Sequence, residues 1–203
     1  MGEKLNYKEN TISYYDNNAE AFIAATCNLN MSYCYSIFER YLKKGVRILD
    51  LGCGSGRDCL YFKNCGYAVT GLDASARMCE AAAALSGVPV FCMRFDQMEY
   101  EEQFDGIWAC ASLLHVSKKE LPDILKKISR ALKPGGILYA SFKSGTGECE
   151  SNGRYFNYYL NELDLRNVFC IQNGLKPLEY VKTRDVRSQR FGDTWVNLIC
   201  RKA

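Results

Sequence analysis

The chain alternates between short apolar runs and amphipathic stretches whose apolar residues recur three or four positions apart. Short apolar runs predict buried strands, and the 3.6-residue period predicts helices. The predicted strands of the central region are 46–50, 67–72, 88–92, 104–110 and 136–142, and the predicted helices between them are 57–64, 75–85 and 121–132. Because strand and helix alternate, we predict an α/β, Rossmann-like fold with a doubly wound, mostly parallel sheet.

The two ends of the chain depart from this alternation. Two helical stretches, 9–27 and 31–42, precede the first strand and are predicted to form a lid or a flank. Residues 143–159 are glycine-rich, polar and aromatic, and are predicted to be a long loop, followed by a helix over 161–173. Two final strands have no helix between them, which predicts an antiparallel C-terminal hairpin and brings the sheet to seven strands: 178–183 and 194–200.

Composition and charge narrow the class of protein. The chain has 48% hydrophobic and 24% charged residues, as ordinary soluble globular proteins do. Its net charge of +3 is spread along the chain, so no nucleic-acid partner is indicated, and no apolar run is long enough to span a membrane. The 11 cysteines form no CxxC pair, and the single histidine, His115, has no cysteine at a zinc spacing. We therefore expect no metal site, and reduced thiols in a cytoplasmic protein.

Three glycines at alternate positions, Gly52, Gly54 and Gly56, follow the first strand. Such a turn lets a ligand lie against bare backbone, and the amides of the next helix favour an anionic group. Ligands of open parallel sheets bind at the carboxyl ends of the strands. Asp73 ends the second strand about twenty positions later, where an acidic residue can accept hydrogen bonds from a ribose diol. A packing role for the glycines and a helix-capping role for Asp73 are the structural alternatives.

The spacing of the glycines distinguishes between nucleotides. A dinucleotide fingerprint requires GxGxxG, but the register here is GxGxG, and Arg57 occupies the position of the last glycine. Asp50, just before the glycines, would repel a phosphate and suits a ligand with an ammonium group. Two other hypotheses stay open: a nicotinamide-dependent oxidoreductase, which rests on the glycines and Asp73, and a non-catalytic cofactor-binding interaction module, which rests on the lack of an obvious catalytic base.

With these features the chain resembles the class I S-adenosylmethionine-dependent methyltransferases. The run 48–56, Ile-Leu-Asp-Leu-Gly-Cys-Gly-Ser-Gly, matches the first motif of that family without a gap, and the resemblance extends in order over about residues 46–142. Tyr14-Tyr15 and the run 54–58 look more specifically like the small-substrate, tellurite-resistance-like members. The resemblance implies transfer of a methyl group from S-adenosylmethionine to a small or medium-sized acceptor, with S-adenosylhomocysteine as the product.

The family resemblance also implies which residues hold the cofactor. In it, Asp50 and the glycine backbone face the methionine part, Asp73 the ribose hydroxyls, Asp96 with its neighbour the adenine, and Cys110 the methyl group. The residues implied to bind the cofactor are Asp50, Gly52, Cys53, Gly54, Gly56, Asp73, Ala74, Asp96, Gln97 and Cys110.

Candidate residues for the acceptor follow from the chemistry of methyl transfer. A methyl sulfonium is already a strong electrophile, so the protein mainly has to align the acceptor and exclude water, without a metal. His115 could move a proton near neutral pH or merely bond the backbone; Tyr14 and Tyr15 could close over the cation or merely pack a helix. The candidate catalytic residues are thus His115, Tyr14 and Tyr15, and the candidates for holding an anionic acceptor, which could instead be solvated, are Lys143, Arg154, Tyr155 and Arg187.

The acceptor and the assembly are less defined. The run 109–114, Ala-Cys-Ala-Ser-Leu-Leu, replaces the NPPY-type tetrapeptide after the fourth strand, so methylation of nucleic-acid bases is not indicated. We expect a small-molecule acceptor and a monomer or homodimer. The 203 residues are expected to form one methyltransferase domain, comprising N-terminal lid or flanking helices (1–45), a cofactor-binding core (46–142), and a substrate loop, helix and terminal hairpin (143–203).

Overall fold

The N-terminal part of the chain is helical. The computed structural model describes residues 7–203, so the first six residues of the predicted lid or flank lie outside the described part. The first three helices are α1 (Tyr7–Asn17), α2 (Ala19–Thr26) and α3 (Ser32–Glu39). The single helix predicted over 9–27 divides at Asn18, where φ is −117° and ψ is 18°. The Asn18 side-chain amide donates to the Tyr14 carbonyl oxygen at 2.8 Å, which stabilises the break.

Five parallel strands form the centre of the sheet. They are β1 (Arg47–Leu51), β2 (Ala68–Asp73), β3 (Val90–Cys92), β4 (Phe104–Ala109) and β5 (Leu132–Ser144). All neighbours pair in parallel, in the order β3-β2-β1-β4-β5. The strand order reverses at β1 and β4, whose carboxyl ends therefore border the crevice where such sheets bind ligands. The predicted Rossmann-like architecture is confirmed.

Helices cover both faces of this sheet. Those between the central strands are α4 (Arg57–Asn64), α5 (Ala76–Ser86) and α6 (Leu121–Ala131). Alternate residues of β1 enter two buried clusters, because successive side chains of a strand point to opposite faces: Leu49 packs in the cluster that contains Ile128 of α6, and Ile48 in the one that contains Phe38 and Phe62. Within residues 7–203, no helix combines the length and the apolarity needed to cross a bilayer.

Residues 143–159, predicted to be a loop, instead contain a β-hairpin. Its strands are β6 (Glu148–Ser151) and β7 (Arg154–Tyr159), joined by Asn152 and Gly153 with φ of 51° and 74°. Positive φ at both central residues characterises a type I′ turn, for which Asn-Gly is the preferred sequence. The prediction was wrong because it weighed the glycine and polar content of the segment above the β-forming aromatic residues that follow. β7 then runs parallel beside the end of β5 and contacts α1.

The C-terminal region carries the predicted antiparallel hairpin. Helix α7 (Glu162–Val168) is followed by a 3₁₀ turn at Ile171–Asn173, so the helix is shorter than the predicted 161–173. The last strands are β8 (Leu175–Arg184) and β9 (Thr194–Lys202), and β9 lies between β5 and β8, antiparallel to both. The seven predicted strands are confirmed in the order β3-β2-β1-β4-β5-β9-β8, and β6 and β7 extend the sheet to 9 strands.

Candidate active site

The glycine turn joins β1 to α4. Gly52, Gly54 and Gly56 have φ of 81°, 51° and 80°, and the Gly52 amide donates to the Leu72 carbonyl oxygen of β2 at 2.7 Å. A Cβ at Gly52 would lie 2.4 Å from Ser112 Cβ, so the loop after β4 packs directly against the turn. The absence of side chains brings two strand-end loops together and leaves the backbone of the turn facing the space above them.

Asp73 fastens this turn to the next strand-end loop. Its Oδ2 accepts a hydrogen bond from the Gly54 amide at 2.9 Å, and its Oδ1 accepts one from the Ser75 amide at 3.0 Å. Burial raises the pKa of the Asp73 carboxyl, and the two amides counteract that rise. Each carboxylate oxygen has a second lone pair, so Asp73 can hold the turn and still accept hydrogen bonds from a ligand.

One large cavity of about 860 Å³ opens above the carboxyl ends of the strands. Helix α1 covers it, since Tyr7, Lys8 and Tyr15 belong to its wall. Eleven of the residues predicted to bind the cofactor, to act in catalysis or to bind the acceptor line it: Tyr15, Gly52, Cys53, Gly54, Asp73, Ala74, Asp96, Cys110, His115, Lys143 and Arg154, and Arg187 makes a twelfth. The fold therefore gathers residues from seven separate parts of the sequence around a single space.

Asp50, Gly56 and Gln97 do not line this cavity, in contrast to the expectation that they face the cofactor. Asp50 is 1% exposed and accepts a hydrogen bond from Cys59 Sγ at 3.2 Å beneath the turn. Burial, with the nearby charge of Asp58, raises the pKa of Asp50 well above its usual range. The Gln97 side chain accepts from the Arg94 amide at 2.8 Å and caps its own 3₁₀ turn. Asp50 and Gln97 thus stabilise the loops that form the cavity wall without lining the cavity themselves.

An ion pair that the sequence did not identify forms the floor of the cavity. Arg57 Nε donates to Asp58 Oδ1 at 2.6 Å, Trp108 Nε1 donates to Asp58 Oδ2 at 2.9 Å, and the Tyr35 hydroxyl donates to the same carboxylate. Burial alone would raise the pKa of Asp58, but Arg57 and the other donors lower it below its ordinary value. The only sequence signal was the adjacent Arg-Asp after the glycines, because the other donors are distant along the chain.

Cys110 stands above this floor at the end of β4 and lines the cavity. Burial raises the pKa of its thiol above the ordinary value, and the negative charge of Asp58 adds to this effect. The thiol is therefore neutral at physiological pH. Cys110 can pack against a ligand but is not prepared to act as a thiolate nucleophile.

Helix α1 is fastened to the wall next to Asp96. Lys8 Nζ lies 3.1 Å from Asp96 Oδ2 and 2.8 Å from Glu120 Oε1, and the Tyr7 hydroxyl donates to Glu120. Arg94 Nε also donates to Asp96, at 3.0 Å. Burial alone would raise the pKa of Asp96, but Arg94 and Lys8 lower it. These contacts close one side of the cavity with the N-terminal helix.

Tyr15 and His115 form a hydrogen-bonded pair inside the cavity. His115 Nδ1 lies 2.6 Å from the Tyr155 carbonyl oxygen, which can only accept, so Nδ1 carries the proton. Nε2 is then an acceptor, and the Tyr15 hydroxyl donates to it at 2.8 Å. Burial lowers the pKa of His115 to about 4, and Arg154 and Lys143 contribute. His115 is thus neutral at physiological pH and fixes the orientation of the Tyr15 hydroxyl.

Tyr14, the third candidate catalytic residue, does not line the cavity. The Tyr14 ring meets the Tyr15 ring edge to face, with 5.5 Å between the centroids. The Arg154 guanidinium lies over the Tyr14 ring, 4.2 Å from its centroid. Tyr14 therefore positions two residues of the cavity wall from outside it.

The four residues predicted to bind an anionic acceptor have different surroundings. Lys143 and Arg154 line the cavity. Arg187 lines it too, but its Nε donates to Asp185 at 2.8 Å, so its charge is already neutralised. The Tyr155 side chain points away, against Tyr7 and Glu148, and only its carbonyl oxygen reaches the site, through His115. Arg190, which the sequence reasoning missed, joins the cationic part of the wall.

Comparisons with known proteins agree with this geometry. A family model described as a methyltransferase domain matches residues 48–136. The O-methyltransferase resE of Aspergillus sclerotiorum is 34% identical over 157 residues, which are 70% of this chain and 59% of that protein. A ubiquinone biosynthesis O-methyltransferase of Nitrobacter winogradskyi is 36% identical over 102 residues, 48% of this chain and 38% of that one. The chain thus spans about half the length of the curated relatives it matches.

Solved structures share the fold at low identity. The 1,6-didemethyltoxoflavin-N1-methyltransferase of Burkholderia thailandensis, solved with 1,6-didemethyltoxoflavin and S-adenosylhomocysteine, has a TM-score of 0.82 at 19% identity, covering 100% of this chain and 92% of that one. The [4+2]-cyclase SpnF has a TM-score of 0.71 at 19% identity, with 94% of each chain covered. Residues 48–136 of this chain therefore match the model of a methyltransferase domain, and the chain has the fold of S-adenosylmethionine-dependent methyltransferases.

Proposed function

We propose that this protein transfers a methyl group from S-adenosylmethionine to a small or medium-sized acceptor. The observation that carries this proposal is the cavity of about 860 Å³, which has the glycine turn and Asp73 on one side and Tyr15, His115, Lys143 and Arg154 on the other. A volume of this size accommodates a nucleoside cofactor together with a small second molecule. The two halves of the wall differ in chemistry, as donor and acceptor subsites should.

The residues of the first half fit S-adenosylmethionine. Asp73 has free lone pairs for a ribose diol, and Asp96 lies in the loop after the next strand. Within residues 7–203, the buried Ser112 hydroxyl has no hydrogen-bond partner, although it lies beside the glycine turn and lines the cavity. A buried polar group without a partner is costly, so a bound ligand that satisfies it would be stabilised.

The cofactor, when bound, supplies an electrophilic methyl group on a sulfonium, and the chain supplies alignment. Helix α1 covers the cavity and limits access of water, while the Tyr15 side chain, held by His115, can contact the acceptor and fix its position. Holding two reactants in a productive geometry is worth about 7 kcal/mol or more. Neither a charged base nor a thiolate is needed, which agrees with the neutral His115 and the neutral Cys110.

The direct test is calorimetric titration with S-adenosylmethionine and S-adenosylhomocysteine. We expect Asp73→Asn to weaken binding at least tenfold, because hydrogen bonds to a charged group are worth about 1.5–3 kcal/mol. Asp105→Asn is the matched control, since Asp105 lies near the amino-terminal end of β4, away from the strand ends that border the cavity, and pairs with Lys133. Unchanged binding in Asp73→Asn would refute the assignment of this subsite.

The alternative hypotheses give different outcomes in the same assay. Binding of NAD without binding of S-adenosylmethionine would favour a nicotinamide-dependent oxidoreductase. Binding of the cofactor without formation of S-adenosylhomocysteine against a panel of small metabolites would favour a non-catalytic interaction module. Formation of S-adenosylhomocysteine that depends on an added acceptor supports the methyltransferase.

We further propose that the protein belongs to the small-substrate, tellurite-resistance-like branch and acts in the cytoplasm as a monomer or homodimer. The run 54–58 and the cavity volume of about 860 Å³ support a small acceptor. The 11 cysteines are all free thiols, which suits a reducing compartment. Sedimentation of the purified protein tests whether it is a monomer or a homodimer. Retention of activity in a thiol reductant tests whether it suits the cytoplasm.

A further inference from the structure

The cationic residues of the cavity divide into paired and unpaired ones. Arg57 and Arg187 each contact an aspartate. Among residues 7–203, by contrast, Lys143 and Arg154 form no ion pair, and the buried Nε of Arg154 has no hydrogen-bond partner. Buried charges and buried polar donors are normally paired. The buried Arg154 Nε can therefore donate to a partner that is not part of the chain, and the half-buried Lys143 can supply a second positive charge beside it.

Lys143 and Arg154 also converge on the same place. Lys143 Nζ lies 5.0 Å from the centre of the Phe156 ring, and the Arg154 guanidinium lies 5.1 Å from it. Lys143 comes from the end of β5, whereas Arg154 and Phe156 come from β7. Both cations thus lie close to one aromatic ring, and all three residues line the cavity, so a planar acidic molecule bound there can meet charge and aromatic surface together.

The electrostatics of this region agree with uncompensated positive charge. Burial lowers the pKa of Lys143, the charges of Arg190 and Arg154 lower it further, and Asp193 partly counteracts them. Burial also lowers the pKa of His115, and the charges of Arg154 and Lys143 lower it further. Only the part of these shifts that comes from neighbouring positive charges, and not the part that comes from burial, favours the ionised form of an acid placed there.

We propose that Lys143 and Arg154 form an anion site, and that the methyl acceptor is a small planar acid bound as its conjugate base. This inference rests on the proposed methyltransferase function and names the class of its acceptor. An inorganic oxyanion would satisfy the charge, but it would use neither the ring of Phe156 nor the volume of the cavity. An oxygen of the ionised acid would form the new bond to the methyl carbon as the bond from sulfur to that carbon breaks, which releases S-adenosylhomocysteine. No proton has to be removed, so no strong base is needed.

The test compares acids with their uncharged amides on the protein loaded with S-adenosylhomocysteine. The probes are salicylate and benzoate, each titrated beside salicylamide and benzamide, with inorganic phosphate as a third arm. We expect the acids to bind about tenfold or more tightly than the amides, since the amides lack the charge-assisted bonds. Arg154→Gln and Lys143→Met should each remove most of that preference. Arg130→Gln removes an exposed charge of α6 that pairs with Glu101. This variant should leave the preference for acids unchanged.

Each outcome decides one part of the proposal. Equal binding of acids and amides, absence of binding by any acid, or equal loss in Arg130→Gln would overturn the anion site. Phosphate binding as tight as that of the best acid would overturn the planar-acid part. If S-adenosylhomocysteine itself fails to bind, the cofactor assignment is wrong, and the acid and amide titrations on the free protein still judge the anion site separately.

Discussion

Gly56 offers the sharpest test of how the glycine turn is built. It is the last glycine of the turn, has φ of 80°, and immediately precedes α4. A Cβ at this position would lie 2.6 Å from the Cα of Ala82 and 2.9 Å from its carbonyl oxygen, both backbone atoms of α5. Gly66, at the end of α4, has φ of 87° and would place its Cβ in open space. The two positions share backbone conformation and differ in contact.

The expected magnitudes follow from this difference. A left-handed backbone costs an L-residue about 1–2 kcal/mol, so Gly66→Ala should lower the free energy of unfolding by about that amount. Gly56→Ala carries the same strain and must also displace the backbone of a helix, for which overpacking costs about 1–3 kcal/mol more. We therefore expect Gly56→Ala to cost about 2–5 kcal/mol in total.

The measurement is urea unfolding of the wild-type protein and both variants, followed by far-UV circular dichroism, with the slopes compared to check that unfolding stays two-state. Titration with S-adenosylhomocysteine at a temperature where all three are folded adds a functional readout, in which only Gly56→Ala should lose affinity. If Gly56→Ala destabilises the protein no more than Gly66→Ala does, the turn does not depend on close contact with α5.

Three further predictions concern the walls of the cavity. Asp58→Ala should cost about 3–5 kcal/mol in urea unfolding, because it leaves the buried Arg57 guanidinium uncompensated; a loss below 1 kcal/mol would show that the pair is dispensable. Since the pKa of His115 is about 4 when folded and about 6.5 when unfolded, its neutral form stabilises the protein fully above pH 6.5, and this contribution is lost as the pH falls towards 4. His115→Gln should flatten that part of the pH–stability curve, and an unchanged curve would contradict the buried, neutral state. Lys8→Met should speed release of S-adenosylhomocysteine in stopped-flow experiments by up to about fivefold for each lost ion pair, and a rate insensitive to both the substitution and salt would exclude these contacts as a restraint on α1.

The sequence predicted most of the fold because the central strands and helices have strong periodic patterns. It missed the β6–β7 hairpin, although Asn152-Gly153 is a local signal for that turn. It also predicted that Asp50 faces the ligand from its position beside the glycines. The two-residue period of the strand instead places Asp50 on the same face of β1 as Ile48. That face packs against the cluster under α4, which contains Ile48, and not against the cavity.

The candidate site was predictable where its residues are local and not where they are distant. Gly54 and Asp73 lie within motifs whose spacing is visible in the sequence, and the structure joins them by one hydrogen bond. The partners of Asp58 could not be predicted, because Tyr35 and Trp108 come from elements far along the chain on either side. Nor could sequence separate Lys143, which forms no ion pair within residues 7–203, from Arg187, which Asp185 neutralises, since pairing is a property of the folded chain.

The position of the β6–β7 hairpin has a consequence for how relatives of this protein diverge. The match to the methyltransferase domain ends at residue 136, and both residues of the anion site follow it, one at the end of β5 and one on β7. The two proposed subsites therefore lie in different segments of the sequence. We expect an exchange confined to the segment from the end of β5 through β7 to change which acid binds, while the segment that includes Gly54 and Asp73 stays as it is.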